Sequence, residues 1–165
     1  MLPVIKKRLF CVVLSITALT TSFTTLAIEA WMSQQQSLHF GYVIPIVGSC
    51  ELDNTTSDVT SPGNICIGPG SRGHYQIHGD ANQMMEVTLE QVIDIPKGIT
   101  FNPIGRLVNN LGDDMAAPIA GIKTRIRIGS DGILDVYIGG TLNLSQPKNN
   151  ATPYILQYDI EFVEA

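Results

Sequence analysis

The sequence predicts an all-β, antiparallel domain, either a sandwich or a barrel. Three observations carry that prediction: short segments in which apolar and polar residues alternate with a period of two, turn chemistry between successive segments, and no long stretch with the 3.6-residue period of a helix. Leu38, Phe40 and Tyr42, separated by His39 and Gly41, predict a first strand with one apolar face. Tyr75 and Ile77 alternate with His74, Gln76 and His78, and Met85, Val87 and Leu89 alternate with Glu86, Thr88 and Glu90, which predicts two half-buried strands. Ile126 and Ile128 share a face against Arg125 and Arg127. Ser130-Asp131-Gly132 then supplies turn chemistry and Leu134, Val136 and Ile138 resume the alternation, so this stretch reads as a hairpin. The clearest strand is the last, with Leu156, Tyr158, Ile160 and Phe162 inward and Gln157, Asp159 and Glu161 toward water. Pro62-Gly63-Asn64, Gly68-Pro69-Gly70, Gly79-Asp80-Ala81-Asn82, Pro96-Lys97-Gly98 and Gln146-Pro147-Lys148-Asn149-Asn150 punctuate the chain as turns or loops. The least strand-like segment, 109–120, reads as a surface loop with room for one helical turn.

Residues 1–27 read as a secretory signal peptide. Lys6, Lys7 and Arg8 form a positive start, 9–19 is an apolar run too short to span a bilayer comfortably, and Thr25-Leu26-Ala27 ends the segment with the small residues a signal peptidase reads. Cleavage after Ala30 is the poorer choice because it puts Ile28 at one of those positions. Cys11 lies too close to the basic residues to mark a lipoprotein site. The expectation is an exported protein with one domain, 28–165, and no integral membrane segment after processing. Losing the leader removes three of the 10 Lys and Arg and none of the 15 Asp and Glu, so the net charge moves from −5 to −8. That balance excludes a nucleic-acid partner, which needs clustered cations, and opposes adsorption to anionic lipid.

Cys50 and Cys66 are the thiols that survive processing, and in an oxidising compartment an isolated pair predicts one disulfide. The competing readings are a metal pair, which lacks the second pair of ligands that a tetrahedral zinc site requires, and two buried free thiols. No catalytic constellation is visible. His74 and His78 have metal-chelating spacing on a helix, but on a strand they stand on one face roughly 13 Å apart, exposed beside solvent or carboxylates. Asp113 and Asp114 read as solvated acids of a Gly-containing loop rather than a calcium or hydrolase pair. There is no G-x-S-x-G elbow, and Gly68-Pro69-Gly70-Ser71-Arg72-Gly73 lacks the lysine of a phosphate loop. No cofactor is expected. Trp31, the one tryptophan, sits beside the processed N-terminus, and the sequence does not show the several exposed aromatics that carbohydrate recognition favours.

Four motifs in order carry a resemblance: Leu38-His39-Phe40-Gly41 with Pro45 after it, Tyr75-Gln76-Ile77-His78-Gly79-Asp80-Ala81-Asn82, the segment from Asp131 through Gly139-Gly140-Thr141-Leu142, and the alternating strand from Tyr154 to Val163. Together they resemble a bacterial secreted domain family of unknown function, and the outline is similar to archaic chaperone-usher pilins and to the spore-coat U domain. The resemblance implies an immunoglobulin-like, pilin-like β-sandwich in the periplasm, in a fimbrium or on the cell surface of a Gram-negative bacterium. It also implies partners, other subunits or a periplasmic chaperone, that bind by strand addition. In such subunits an N-terminal extension with alternating apolar residues is the donor strand. Here 28–37 is short and offers only Ile28, Ala30 and Met32, while Leu156, Tyr158, Ile160 and Phe162 would border the acceptor groove. An incomplete sandwich with an open groove and a complete small one both fit. The leading expectation is a non-catalytic structural or adhesive subunit of a fimbria-like assembly. The alternative is a self-contained periplasmic or secreted module binding carbohydrate or protein.

Overall fold

The computed structural model describes residues 29–147 and 157–165, which form thirteen strands in antiparallel sheets and no helix. The alternating apolar residues dictate the layout. β12 (Ile133–Leu144) carries Leu134, Val136, Ile138, Leu142 and Leu144 on its buried face, and it is the spine of the large sheet. Along one edge it pairs over its length with β9 (Ile99–Val108). Along the other it pairs first with β6 (Gly73–His78), through Ile138↔Gly73, and then with β3 (Gly48–Leu52), beginning at Gly140↔Leu52. The outer positions are short strands: β1 (Trp31–Gln36) on β6, β4 (Val59–Thr60) on β3, and β8 (Val92–Asp94) and β10 (Asp114–Ile119) on β9.

The exchange of β6 for β3 explains Gly139-Gly140. A Cβ on Gly139 would fall against the Leu52 carbonyl oxygen, and one on Gly140 against the Asn102 carbonyl oxygen and, at 2.9 Å, the Pro103 Cα; Gly140 also holds φ +129°. Only glycine lets the spine pass this junction with backbone on both sides.

A second sheet, β11 (Thr124–Arg127), β7 (Met84–Leu89) and β13 (Ile160–Glu164), turns Met85, Val87, Leu89 and Ile126 into the same core as Ile77, Phe101, Leu107 and the β12 residues. Each such side chain, withdrawn fully from water, contributes roughly 1.5–3 kcal/mol. Arg127 pairs with Asp113 beside β10, and Tyr158 bonds Tyr75 on β6, so β11 lies over the β10 side of the large sheet and β13 over the β6 side. A two-stranded unit, β2 (Tyr42–Val43) with β5 (Cys66–Ile67), closes one end, and the Cys50–Cys66 disulfide ties it to β3. That bond closes a 16-residue separation, for which loop entropy gives about 3 kcal/mol. Reduction is therefore expected to lower the unfolding free energy by about that amount, which urea titrations with and without reductant measure.

Four expectations are corrected. The stretch 38–42 is not one strand: Phe40 is buried, but Gly41 at φ +74° turns the chain, and Tyr42, expected inward, is 83% exposed. The 126–138 stretch is no hairpin, because β11 joins β7 in the small sheet while β12 enters the large one. The turn is present, with Gly132 N–H donating to the Gly129 carbonyl, yet it passes the chain between sheets. The segment 109–120 holds a strand, β10, returning along β9 after a turn in which the Asn109 side-chain carbonyl accepts from the N–H groups of Leu111 and Asp113. His74 and His78, expected exposed, are half-buried.

Candidate functional surface

The residues expected to take part in strand addition divide between the two sheets. Ile28 and Leu156 lie outside the described residues. Ala30 and Met32 pack, half-buried, against the core, and Trp31 to Gln36 pairs with β6 from Trp31↔His78 to Gln36↔His74. The segment read as a donor strand thus occupies the edge of the chain's own large sheet. Ile160 and Phe162 are half-buried against the core on β13, which among the described residues pairs only with β7. Tyr158, just before β13, shares a 2.6 Å hydroxyl hydrogen bond with Tyr75 and meets Phe101 edge-on, with ring centroids 5.7 Å apart. Burial, and then the bond from Tyr75, push the Tyr158 phenol far above its ordinary range.

On the solvent face of the large sheet, strand pairing assembles a ladder that the separate motifs did not announce. Trp31 stacks on His78 at 3.9 Å, and His78 Nε2 lies 3.1 Å from the Ser33 hydroxyl. His74 bonds Asp135 at 2.7 Å and stacks on Tyr137, over which the Arg72 guanidinium sits 4.0 Å from the ring centroid. Gln76 donates to the same Asp135 oxygen. The expected carboxylate partner of His74 is thus Asp135, sixty-one positions away, a contact visible only once β6 and β12 are paired. Among the described residues no three His, Cys, Asp or Glu side chains converge on a possible metal site. His74 and the Arg72 guanidinium both cover Tyr137, whereas Trp31 is 52% exposed beyond its contact with His78.

Asp113 and Asp114, read as solvated, keep part of their surface in water and are also ion-paired. Asp113 accepts from Asn109 and pairs with Arg127 at 3.2 Å, while Asp114 holds Arg106 in a two-point contact. These partners hold both carboxyls below the usual aspartate range, the Asn109 bond leading for the first and the Arg106 bond for the second. They brace the β9–β10 turn. Asp53 is lowered in the same sense by the N–H groups of Thr56 and Thr55, which it accepts in the 53–58 loop. A carboxyl lowered on folding stabilises the native state above its unfolded value and loses that contribution as pH falls through the folded value. Thermal stability is therefore expected to hold down to about pH 5 and to decline below about pH 4. Asp53→Asn should flatten that decline in melts recorded across the range.

At the end closed by β2 and β5, apolar side chains stand out of the surface. Tyr42 is 83% exposed, Val47 58%, Ile67 55% and Ile46 47%. Beside them a shallow depression of about 300 Å³ is lined by His39, Gly41, Tyr42, Ile67, Gly68 and Pro69. The sequence signal for this end was present but silent to periodicity: 40–50 and 61–71 contain no Asp, Glu, Lys, Arg or His.

No family model matches the chain, and neither the curated proteins nor the solved structures contain a match. The comparisons neither support nor oppose the resemblance drawn from the four sequence motifs.

Proposed function

We propose that this chain is an exported, non-catalytic β-sandwich of immunoglobulin-like design that acts as a self-contained binding module in the periplasm or outside the cell. The observation that carries this reading is the pairing of Trp31–Gln36 with β6, together with Ala30 and Met32 against the core: the strand a pilin subunit would give away here completes the chain's own sheet. Export is supported by the basic and apolar leader pattern and by the Cys50–Cys66 bond. His74 and Asp135 are engaged in the ladder, and Asp113 and Asp114 in ion pairs. The test is purification of the exported protein without partners. A monomer that stays monomeric on concentration is the expected result, and strand-swapped oligomers or a requirement for a chaperone would overturn it.

A second reading, a structural or adhesive subunit of a fimbria-like assembly, is favoured by where β1 sits. Among the described residues it is an edge strand that pairs with β6 and with no other strand, so the same pairing could be made to β6 of another copy. Its partners would be other subunits or a periplasmic chaperone. Deleting 28–36 separates the two readings: a subunit loses surface polymerisation while keeping its fold when an added 28–36 peptide or a chaperone supplies the strand, whereas a module loses stability and has no polymer to lose.

A further inference from the structure

We propose that the charge-free end formed by 40–50 and 61–71 is a membrane-docking tip that inserts into the interfacial zone of a bilayer with net-neutral headgroups. The proposal goes beyond the binding-module reading and does not depend on how β1 is used. The first argument is shape. Ile46 and Val47 stand exposed outside the shallow depression, whose rim Tyr42 and Ile67 form, so the apolar side chains at this end are presented to a partner, as side chains that enter one are. The second is charge. Neither segment carries a charged side chain, so moving the tip into a low dielectric strips water from none. The same lack of cations leaves nothing to recruit anionic headgroups, and the chain's net charge of −5 repels them, which selects a zwitterionic surface.

The third argument is the backbone, whose polar groups need partners wherever lipid replaces water. Ile44 N–H donates to the Ile65 carbonyl at 2.6 Å, Ile46 N–H to the Ile44 carbonyl and Asn64 N–H to the Ser61 carbonyl, while the Ser61 hydroxyl accepts from Ile65 and Cys66 N–H. The disulfide and the β2–β5 pairing hold this arrangement in place, so docking orders little new chain. Tyr42 combines an apolar ring with a hydroxyl suited to the headgroup level.

The test uses protein purified from an exporting host, its N-terminus read by mass spectrometry, sedimented with phosphatidylcholine vesicles. The protein should co-sediment, and adding phosphatidylglycerol to the vesicles should not increase binding. Val47→Asp and Tyr42→Ser should each lower the partition about tenfold while leaving the melting temperature in place, since both side chains are largely exposed. In a Trp31→Phe background, Val47→Trp should report insertion by a blue shift of its emission on vesicle addition. Equal sedimentation of parent and Val47→Asp, or no emission shift, would overturn the proposal. So would a dimer abolished by Val47→Asp in protein that ignores vesicles, because the occupant would then be a second copy of the chain.

Discussion

Gly140→Ala is expected to cost about 3–5 kcal/mol of stability. Two penalties coincide at this residue. Its φ of +129° lies where an L side chain is strained whatever the space around it, and the added methyl would meet the Asn102 carbonyl oxygen and the Pro103 Cα. Both obstacles are backbone of β9, which is held by its pairing with β12 on either side of the contact, so no side chain can swing away to relieve them. The urea midpoint should fall without a change in slope. A surface glycine supplies the control: Gly112, with φ +87° and open space around it, carries only the conformational penalty and should lose far less. A midpoint for Gly140→Ala within experimental error of the parent would show that β12 does not need glycine to pass from β6 to β3.

Phe101→Ala is the second large effect, expected at about 3–5 kcal/mol. Phe101 is 1% exposed and meets Phe40 edge-on at 5.8 Å on one side and Tyr158 at 5.7 Å on the other. Removing the ring leaves a cavity walled by β9, by the loop before β2 and by the approach to β13, three segments that do not otherwise pair with one another. Collapse into that space would have to move all three. Phe101→Leu retains most of the volume and should cost less than about 1.5 kcal/mol. If the two variants melt together, the aromatic contacts rather than the filled volume set the stability.

Where the pleat alone decides burial, the sequence was a reliable guide. Tyr75 and Ile77, Met85, Val87 and Leu89, and Leu134, Val136 and Ile138 all sit on the faces their alternation predicts. The longest partner of β12 nevertheless escaped notice. β9 does alternate, with Ile99, Phe101, Pro103, Gly105 and Leu107 inward, but a proline and a glycine occupy two of those positions and read as a break. Pro103 is tolerated because its outer side falls between the partners of β8, which end at Phe101, and those of β10, which begin at Ile104. β1 was legible only in part: Ala30 and Met32 marked an extended donor segment, but Ser33-Gln34-Gln35-Gln36 on an exposed edge has no apolar period to show that it pairs within its own sheet. The 129–132 turn was legible as a reversal of the chain, but turn chemistry carries no information about which sheet each flanking strand will join. The disulfide was legible from two cysteines and the basic, then apolar, pattern of 6–19. The ladder around Tyr137 was not, because it is made of pairings between positions about sixty residues apart.

The position of β12 near the end of the chain sets an order on folding. β3, β6 and β9 each take their central neighbour from 133–144, so a chain emerging N-terminus first, from a ribosome or a translocon, has released more than four-fifths of the 165 residues before the large sheet can close. Until then those strands wait with bare edges and apolar faces, at separations that make closure slow and leave time for pairing with the wrong chain. The exposure of β3, β6 and β9 ends when one twelve-residue strand arrives, and that of β7 only when β13 follows it.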